Sequence, residues 1–312
     1  HNLRAHFGMY NPVEIGMRAP EGAEKPDFWS YYDDMEIPEG SYLDGHGVLH
    51  SPGSMYHFTH YVSPLRNAQR FEDLEAFPYP GVDGHTEEFM AGQVEEIHAR
   101  GQVVSSWIGH MYEVSWQIRG YEEFLIDMMT RPEWPEYILD RQTERNLKCA
   151  EAAARAGVDV IRIGDDVANQ NALMFSLDHW RSFMKSRWEK VLAAALAIKP
   201  DLQIWYHSDG NIDAIVPELL EIGVTILNPV QPECMDPIKL KREYGDRLVI
   251  DGTLGTQTTM PFGYPEDVRQ VVRERHRTLA TDGAFIASPT HVLEPEVPIE
   301  NLKAFVEVCG EY

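Results

Sequence analysis

Apolar and polar positions alternate in two rhythms over the last two thirds of the chain. From Thr86 to Arg100 apolar residues recur three and four positions apart, the spacing of one helical face, and Gly101 provides a stop. A short apolar run follows at Val103–Ile108. A long helical stretch then covers about 120 to 156, breaks near Pro132 and Pro135, and stops at Gly157. The alternation repeats five times. Apolar runs at Val158–Ile163, Leu202–Tyr206, Val224–Leu227, Leu248–Ile250 and Ala284–Ala287 are followed by helical patterns at Leu177–Ile198, Ile212–Ile222, Pro237–Tyr244, Pro265–Thr281 and Pro298–Val308. Short β-branched runs, each followed by a helix, predict a parallel sheet buried on both faces. Six such strands from residue 102 onward, joined by right-handed crossovers, fit a closed barrel or a doubly wound sheet. No GxGxxG follows the first strand, which disfavours the dinucleotide-binding version. The expected fold is therefore α/β, a TIM-type (β/α)8 barrel, with the remaining strands formed earlier in the chain or lost at its start.

Residues 1–85 break the rhythm and are rich in Pro, Gly, Tyr, Asp and His. Phe28–Met35 and Phe71–Tyr79 read as turns and short helices, and Gly45–Ser51 with Ser54–Val62 as a small hairpin. Long irregular segments beside a regular core serve as surface elaborations or as lids over a site. The expected organisation is an irregular N-terminal elaboration or lid at 1–85 and a catalytic barrel at 86–312. The chain opens on His1-Asn2-Leu3-Arg4 without a methionine, which suggests a trimmed start.

In such barrels the chemistry lies at the C-terminal ends of the strands. Here those ends carry Trp107–Glu113, Gly164–Gln170, His207–Asn211, Asn228–Asp236, Asp251–Gln257 and Ser288–His291. The opposite ends carry plain connectors such as Ile222-Gly223-Val224. His207 and Asp209 stand two apart just past a strand, so their side chains can share a face. With Cys234 and His291 they supply imidazole, thiolate and carboxylate, the ligand types of zinc. A core histidine hydrogen-bonded to Asp209 and a small buried cysteine fit the same pattern. Asp165 and Asp166 are adjacent carboxylates whose pKa values split unless a cation lies between them. They read as an acid/base pair, or as one turn cap and one inward carboxylate. Glu113 is a further inward carboxylate. His110, Tyr112, Asn169, Tyr206 and Gln257 share these ends and are candidates for holding substrate. Trp107, Trp116 and Phe262 add rings able to stack on aromatic or cationic groups. Arg119 and Glu122 read as an ion pair at the rim.

Composition narrows the partners. The 312 residues suffice for one barrel of about 250 plus an elaboration. With 27 Lys+Arg against 50 Asp+Glu, the net charge of −23 makes nucleic acid and anionic membrane surface poor partners, while leaving room for a local cationic pocket. No apolar run reaches the ~18–20 residues of a membrane span, and no signal-peptide core opens the chain. Cys149, Cys234 and Cys309 are far apart, odd in number and without a CxxC pair. That speaks against a disulfide framework and for a reduced, cytoplasmic setting. A homo-oligomer is compatible with all of this.

The strand-end segments together carry a family likeness. Arg119-Gly-Tyr-Glu-Glu-Phe-Leu-Ile-Asp127, Gly157-Val-Asp-Val-Ile-Arg-Ile-Gly-Asp-Asp166, His207-Ser-Asp-Gly-Asn211, Asp251-Gly-Thr-Leu-Gly255, and Pro289-Thr-His291 leading to Leu302 resemble the uroporphyrinogen decarboxylase superfamily in order and spacing. The likeness is greatest to its corrinoid-dependent methyltransferase branch. Tyr42-Leu-Asp-Gly-His-Gly47 and Phe71–Glu75 resemble the family's N-terminal elaboration. The resemblance implies a TIM barrel with one cleft at the strand C-termini. True decarboxylases grip the substrate's carboxylates with an Arg-rich N-terminal segment, and the first 30 residues here offer only Arg4 and Arg18. A lyase acting on a tetrapyrrole or small carboxylic acid, with Arg162 and Arg119 as its cations, is therefore the alternative.

The methyltransferase branch moves a methyl group between a small substrate and a cobalamin-bearing protein. Its coenzyme M members bind zinc through a His-x-Cys pair and a later Cys. Here the histidine falls on His207, the first cysteine is replaced by Asp209 and the second by His291. This harder ligand set suits an oxygen or nitrogen substrate better than a thiol. What the resemblance implies is demethylation of a small O- or N-methylated compound, with the methyl group passing to a corrinoid protein. Zinc would be held among His207, Asp209, Cys234 and His291, with Glu113, Asp165 and Asp166 as the catalytic carboxylates.

Overall fold

The computed structural model describes residues 6–23, 26–53 and 59–312. A short strand, β1 (Val13–Glu14), comes first. A 3-10 turn at Trp29–Tyr32 leads to three short strands, β2 (Tyr42–Leu43), β3 (Leu49–Pro52) and β4 (Thr59–Val62), which pair antiparallel. The hairpin expected here is therefore present as β3 and β4, while its residues 54–58 lie outside the described residues. Helices α1 (Phe71–Glu75) and α2 (Glu88–His98) lead into β5 (Val104–His110).

The regular part then unfolds as α3 (Tyr112–Arg119), α4 (Tyr121–Thr130), α5 (Glu133–Ala156), β6 (Val160–Gly164), α6 (Leu177–Trp180), a π-turn at Arg181–Lys185, α7 (Ser186–Ile198) and β7 (Gln203–His207). It continues as α8 (Val216–Glu221), β8 (Ile226–Asn228), α9 (Pro237–Tyr244), β9 (Val249–Asp251), α10 (Thr259–Phe262), α11 (Pro265–Leu279), β10 (Phe285–Ile286) and α12 (Ile299–Cys309). Seven strands form one parallel sheet in the order β1-β5-β6-β7-β8-β9-β10, a curled half-barrel walled by helices. The pairing of Val13 with Val104 draws a piece of the N-terminal segment into this sheet. Among the described residues no helix is long and apolar enough to cross a membrane.

The strands alternate rather than being apolar on both faces. Ile161, Ile163, Ile204, Tyr206, Leu227 and Ile250 are fully buried in the main core, together with Trp188 and Leu192 of α7. Burying each such side chain contributes about 1.5–3 kcal/mol. The other face carries the half-buried, cross-strand row Trp107, Arg162 and Trp205, with the guanidinium 4.3 Å from the Trp205 ring centroid. The helix α3 was not foreseen. It is a two-turn element directly after β5, too short for its periodicity to stand out, and Gly120 (φ +111°) separates it from α4.

The N-terminal segment has a core of its own. Phe28, Val48, Leu65, Leu74 and Phe77 pack on Val114 and Ile118 of α3 and on Trp134 and Ile138 of α5. The buried Tyr32 hydroxyl lies 2.7 Å from the Gly47 carbonyl and 3.1 Å from the Leu49 N–H, tying the 3-10 turn to the small sheet. The segment thus rests on the same helix, α3, that follows the end of β5.

Candidate active site at the strand ends

The strand ends are keyed to one another by backbone contacts. A Cβ on Gly164 would stand 2.7 Å from the His207 carbonyl oxygen and 2.8 Å from the His207 Cβ, so glycine is what lets β6 run on against β7. Asp165 N–H donates to the His207 carbonyl at 2.9 Å, Ser208 N–H to Asn228 at 3.0 Å, and Val230 N–H to Asp251 at 3.1 Å. The loop after β7 turns at Gly210 (φ +85°), where a Cβ would meet the Asn169 carbonyl oxygen at 2.5 Å.

This register brings Asp166, His207 and Asp209 together. One donor atom from each lies within 4.8 Å of the others, the one such grouping among the described residues. His207 Nδ1 is 2.9 Å from Asn228 Oδ1. The Asn228 amide also bonds the Asp251 carboxylate, which in turn accepts from the Trp205 indole at 2.8 Å and the Ser288 hydroxyl at 2.7 Å. With its NH2 committed to Asp251, Asn228 presents oxygen to the imidazole. Nδ1 then donates to the Asn228 oxygen, and Nε2 faces Asp166 Oδ1 at 3.8 Å. Asp166 Oδ1 also accepts the Asp209 N–H at 2.9 Å. Burial, and then the Asp166 charge, raise the Asp209 carboxyl, while His207 and His291 pull it down. One imidazole and two carboxylates, with the imidazole oriented from behind, fit a three-ligand zinc site that keeps a position open.

Of the ligand set expected from the sequence, the structure brings His207 and Asp209 together. Asp166 joins His207 and Asp209, while Cys234 and His291 stand outside the grouping. His291 Nε2 lies 3.7 Å from Asp209 Oδ2 and so borders it. Burial, Glu233 and Asp209 all raise the Cys234 thiol.

The adjacent aspartates part company. Asp165 is fully buried. Its Oδ1 accepts the N–H groups of Met111 at 2.8 Å and Glu113 at 3.0 Å, and its Oδ2 accepts the Trp188 indole at 3.0 Å. It therefore caps the start of α3 from a neighbouring strand. Burial raises its carboxyl to about 7, against the pull of His110 and of these three donors. Asp166 points to His207 instead. Glu113, held in the first turn of α3, places Oε2 3.2 Å from His110 Nδ1, which also lies 2.8 Å from the Gly164 carbonyl. Burial, and then the Asp166 charge, raise the Glu113 carboxyl to about 7, with His207 opposing and Asp209 adding to the rise. Such a group holds a proton near neutrality and can give it up.

The other expected residues divide. Tyr112 is fully buried, its ring edge-on to Phe124 and Phe175, and belongs to the core. Tyr206 is also fully buried; burial and the nearby Asp165 and Asp166 push its hydroxyl up. Asn169 Oδ1 accepts from the N–H groups of Asn171 and Ala172 and so shapes its own loop. Gln257 accepts from Gln170 at 2.9 Å, linking two rim loops. Arg119 is a correction. It is buried and pairs at 2.8 Å with Asp127 rather than with Glu122 at the rim, because Asp127 lies two turns along α4 and also binds Arg131 at 2.6 Å. A cavity of about 350 Å³ lined by Glu14, Arg18, Phe89 and Arg100 among others shares no residue with the cluster.

Sequence reasoning missed Trp188, which lies on a helix distant in sequence and carries no local signal. It quoted Asn228 and Asp251 only as members of strand-end segments, since their orienting role depends on which strands are neighbours.

The family model for uroporphyrinogen decarboxylase matches residues 88–312. The chain belongs to the uroporphyrinogen decarboxylase family. Two curated relatives, both named methylcobamide:CoM methyltransferase MtaA, come from Methanosarcina barkeri and from its strain Fusaro / DSM 804. They are 29% and 27% identical to it over 177 residues, which is 57% of this chain and 49% of theirs. The chain thus spans about half the length of the curated relatives it matches. A solved methyltransferase from Methanosarcina mazei superposes with a TM-score of 0.64 at 22% identity, covering 85% of this chain and 76% of that one, a likeness of fold. The resemblance of the strand-end motifs to the uroporphyrinogen decarboxylase family and to its corrinoid methyltransferase branch is borne out.

Proposed function

We propose that this chain is a corrinoid-dependent methyltransferase of the demethylase type. It takes a methyl group from a small O- or N-methylated compound and passes it to a cobalamin-bearing partner protein in the cytoplasm. The observation that carries this reading is the convergence of Asp166, His207 and Asp209, a nitrogen-and-oxygen donor set, opposite the proton-holding Glu113. In this reading the sheet is the wall of a TIM-type (β/α)8 barrel built from 86–312 with β1 of the N-terminal segment as an added strand, and the small sheet β2–β4 with its core belongs to the lid. The family membership and the names of the two relatives support it.

Zinc bound by His207 Nε2 and by carboxylate oxygens of Asp166 and Asp209 would polarise the atom that leaves. The chain's own residues do the rest. Asn228 holds the His207 ring at the angle that presents Nε2. As the methyl group departs from an ether, the electron pair of the broken bond stays on oxygen, and Glu113 supplies the proton that neutralises it. Asp165 holds the α3 N-terminus, and with it Glu113, in place. The oxygen-and-nitrogen character of the donor set favours an ether or amine over a thioether.

The test is incubation with cob(I)alamin and, separately, methoxy-aromatics, methylamines and methyl thiols. Methylcobalamin should form from an oxygen or nitrogen donor. Its absence with every donor, or its formation from thiols alone, overturns the reading.

A further inference from the structure

The cavity between β1 and α2 lies apart from the Asp166–His207–Asp209 cluster and has a chemistry of its own. Its volume is about 350 Å³, within the ~300–1,000 Å³ of small-molecule sites. Phe89, Gln93, Ile97 and Arg100 follow one another at spacings of four, four and three residues, so they share one face of α2 and of the turn that ends it. β1 forms the opposite side. Ile15 and Ile97 are buried in the main core and Val13 packs against it, which gives the cavity an apolar floor. Glu14 stands between Val13 and Ile15 and points to the other face of the sheet, as alternation on a strand requires. Its carboxylate is committed there to Arg162 at 3.3 Å.

Two guanidiniums line this cavity with no carboxylate in salt-bridge reach among the described residues. Acidic residues outnumber basic ones 50 to 27, and arginines such as Arg155 and Arg187 pair with carboxylates at 2.7 and 2.8 Å. Arg18 instead lays its guanidinium 3.9 Å over the Phe89 ring. The ring takes the flat face and leaves the N–H edge of the fork for an oxygen acceptor. Arg18 is also anchored at its backbone, by bonds of 3.2 and 3.0 Å to and from Thr86. Arg100 gives Nε to Gln102 at 3.2 Å and keeps its two terminal nitrogens. Glu96 lines the cavity too. Set against the two guanidiniums it leaves a single positive charge, which a monoanion balances and a phosphate dianion overfills.

We propose that the cavity between β1 and α2 binds a small organic carboxylate, its oxygens held by the Arg18 fork with the Arg100 charge at the same cavity, and its apolar body laid on Val13, Ile15 and Ile97. A carboxylate matches the guanidinium edge with two parallel hydrogen bonds. The site is additional to the methyl-transfer centre and does not depend on that reading.

The experiment is calorimetric titration of the intact chain with benzoate, with benzamide, which has the same shape without the charge, and with phenyl phosphate. Benzoate should bind at least about tenfold more tightly than benzamide, and phenyl phosphate no more tightly than benzoate. Arg18→Gln should weaken benzoate about tenfold, and Arg18→Lys, which keeps the charge but not the planar fork, should fall between. Glu96→Gln removes the opposing charge and should tighten benzoate by up to about fivefold. Arg18 is exposed and its bonds to Thr86 use only the backbone, and thermal melts of the variants check that they fold. His207→Ala should leave benzoate binding intact. Equal affinity for benzoate and benzamide, an unaffected Arg18→Gln variant, or phenyl phosphate as the tightest of the three overturns the inference. So does benzoate binding that His207→Ala abolishes, since that would put the carboxylate at the metal-ligand cluster.

Discussion

Replacing Asp165 with alanine removes an acceptor that three N–H donors share. The Met111 and Glu113 amides and the Trp188 indole would be left facing apolar surroundings. An unsatisfied buried donor costs about 1–3 kcal/mol, so three of them amount to roughly 3–9 kcal/mol. Removing the carboxylate also removes the penalty of burying it, and water entering the hole satisfies part of the deficit. The net expected loss is about 3 kcal/mol. Asp165→Asn keeps one oxygen for the two backbone donors but turns an amide NH2 toward the indole N–H. One bond is lost, at about 1–2 kcal/mol. Urea unfolding followed by fluorescence should therefore rank the variants Asp165→Ala below Asp165→Asn below wild type, with unchanged slope. Methyl transfer should fall in the same order, because α3 and Glu113 lose their anchor. An Asp165→Ala variant within about 0.5 kcal/mol of wild type, or an asparagine variant as stable as wild type but inactive, refutes the anchoring role. The second result would make Asp165 the proton source.

Further outcomes follow from Glu113 and from the metal ligands. Glu113 is held protonated up to about 7, so with a methyl ether as donor the rate should be flat below that pH and fall above it. Glu113→Gln should lower the rate and abolish the alkaline fall. The same shift bears on stability: the folded-state pKa lies above the ordinary 4.5, so the contribution is full below about 4.5 and is lost as pH rises through about 7. The urea midpoint should drop less over that window in Glu113→Gln than in wild type, and an equal drop refutes the assignment. For the metal, Asn228→Ala frees the His207 ring and should weaken zinc binding about 10–100-fold. By elemental analysis His207→Ala should lose zinc and Cys234→Ala should keep it. The reverse pattern would return the cysteine to the ligand set.

Much of the architecture was legible from periodicity. Gly157 ends α5 with a left-handed φ of +87°, and α9 occupies the stretch its pattern marked, Pro237–Tyr244. These features depend on neighbours within a turn or two, and a linear sequence displays them. The helix α3 escaped notice because eight residues between a strand and Gly120 offer little periodicity to read.

The site was legible as a set of addresses but not as contacts. Asp165 and Asp166 are equivalent in sequence, yet one caps a helix and the other meets a histidine. The difference arises because successive side chains on an extended strand end point to opposite sides, and only the neighbouring strands decide what each side holds. Cys234 had the right chemistry at a strand-end loop, and Asp166 took the third place in the grouping because the loop after β6 lies against β7.

By itself, the order of residues determined the alternation of strand and helix, the excess of negative charge, and the placing of carboxylates and imidazoles after strands. Hydrophobic periodicity and composition are local or additive properties. The tertiary structure alone decided that Trp188 supports Asp165, that Asn228 orients His207, and that Tyr61 of the N-terminal sheet meets Trp116 of α3. Each of those pairings joins residues more than 20 positions apart, and strand register and packing set their distances.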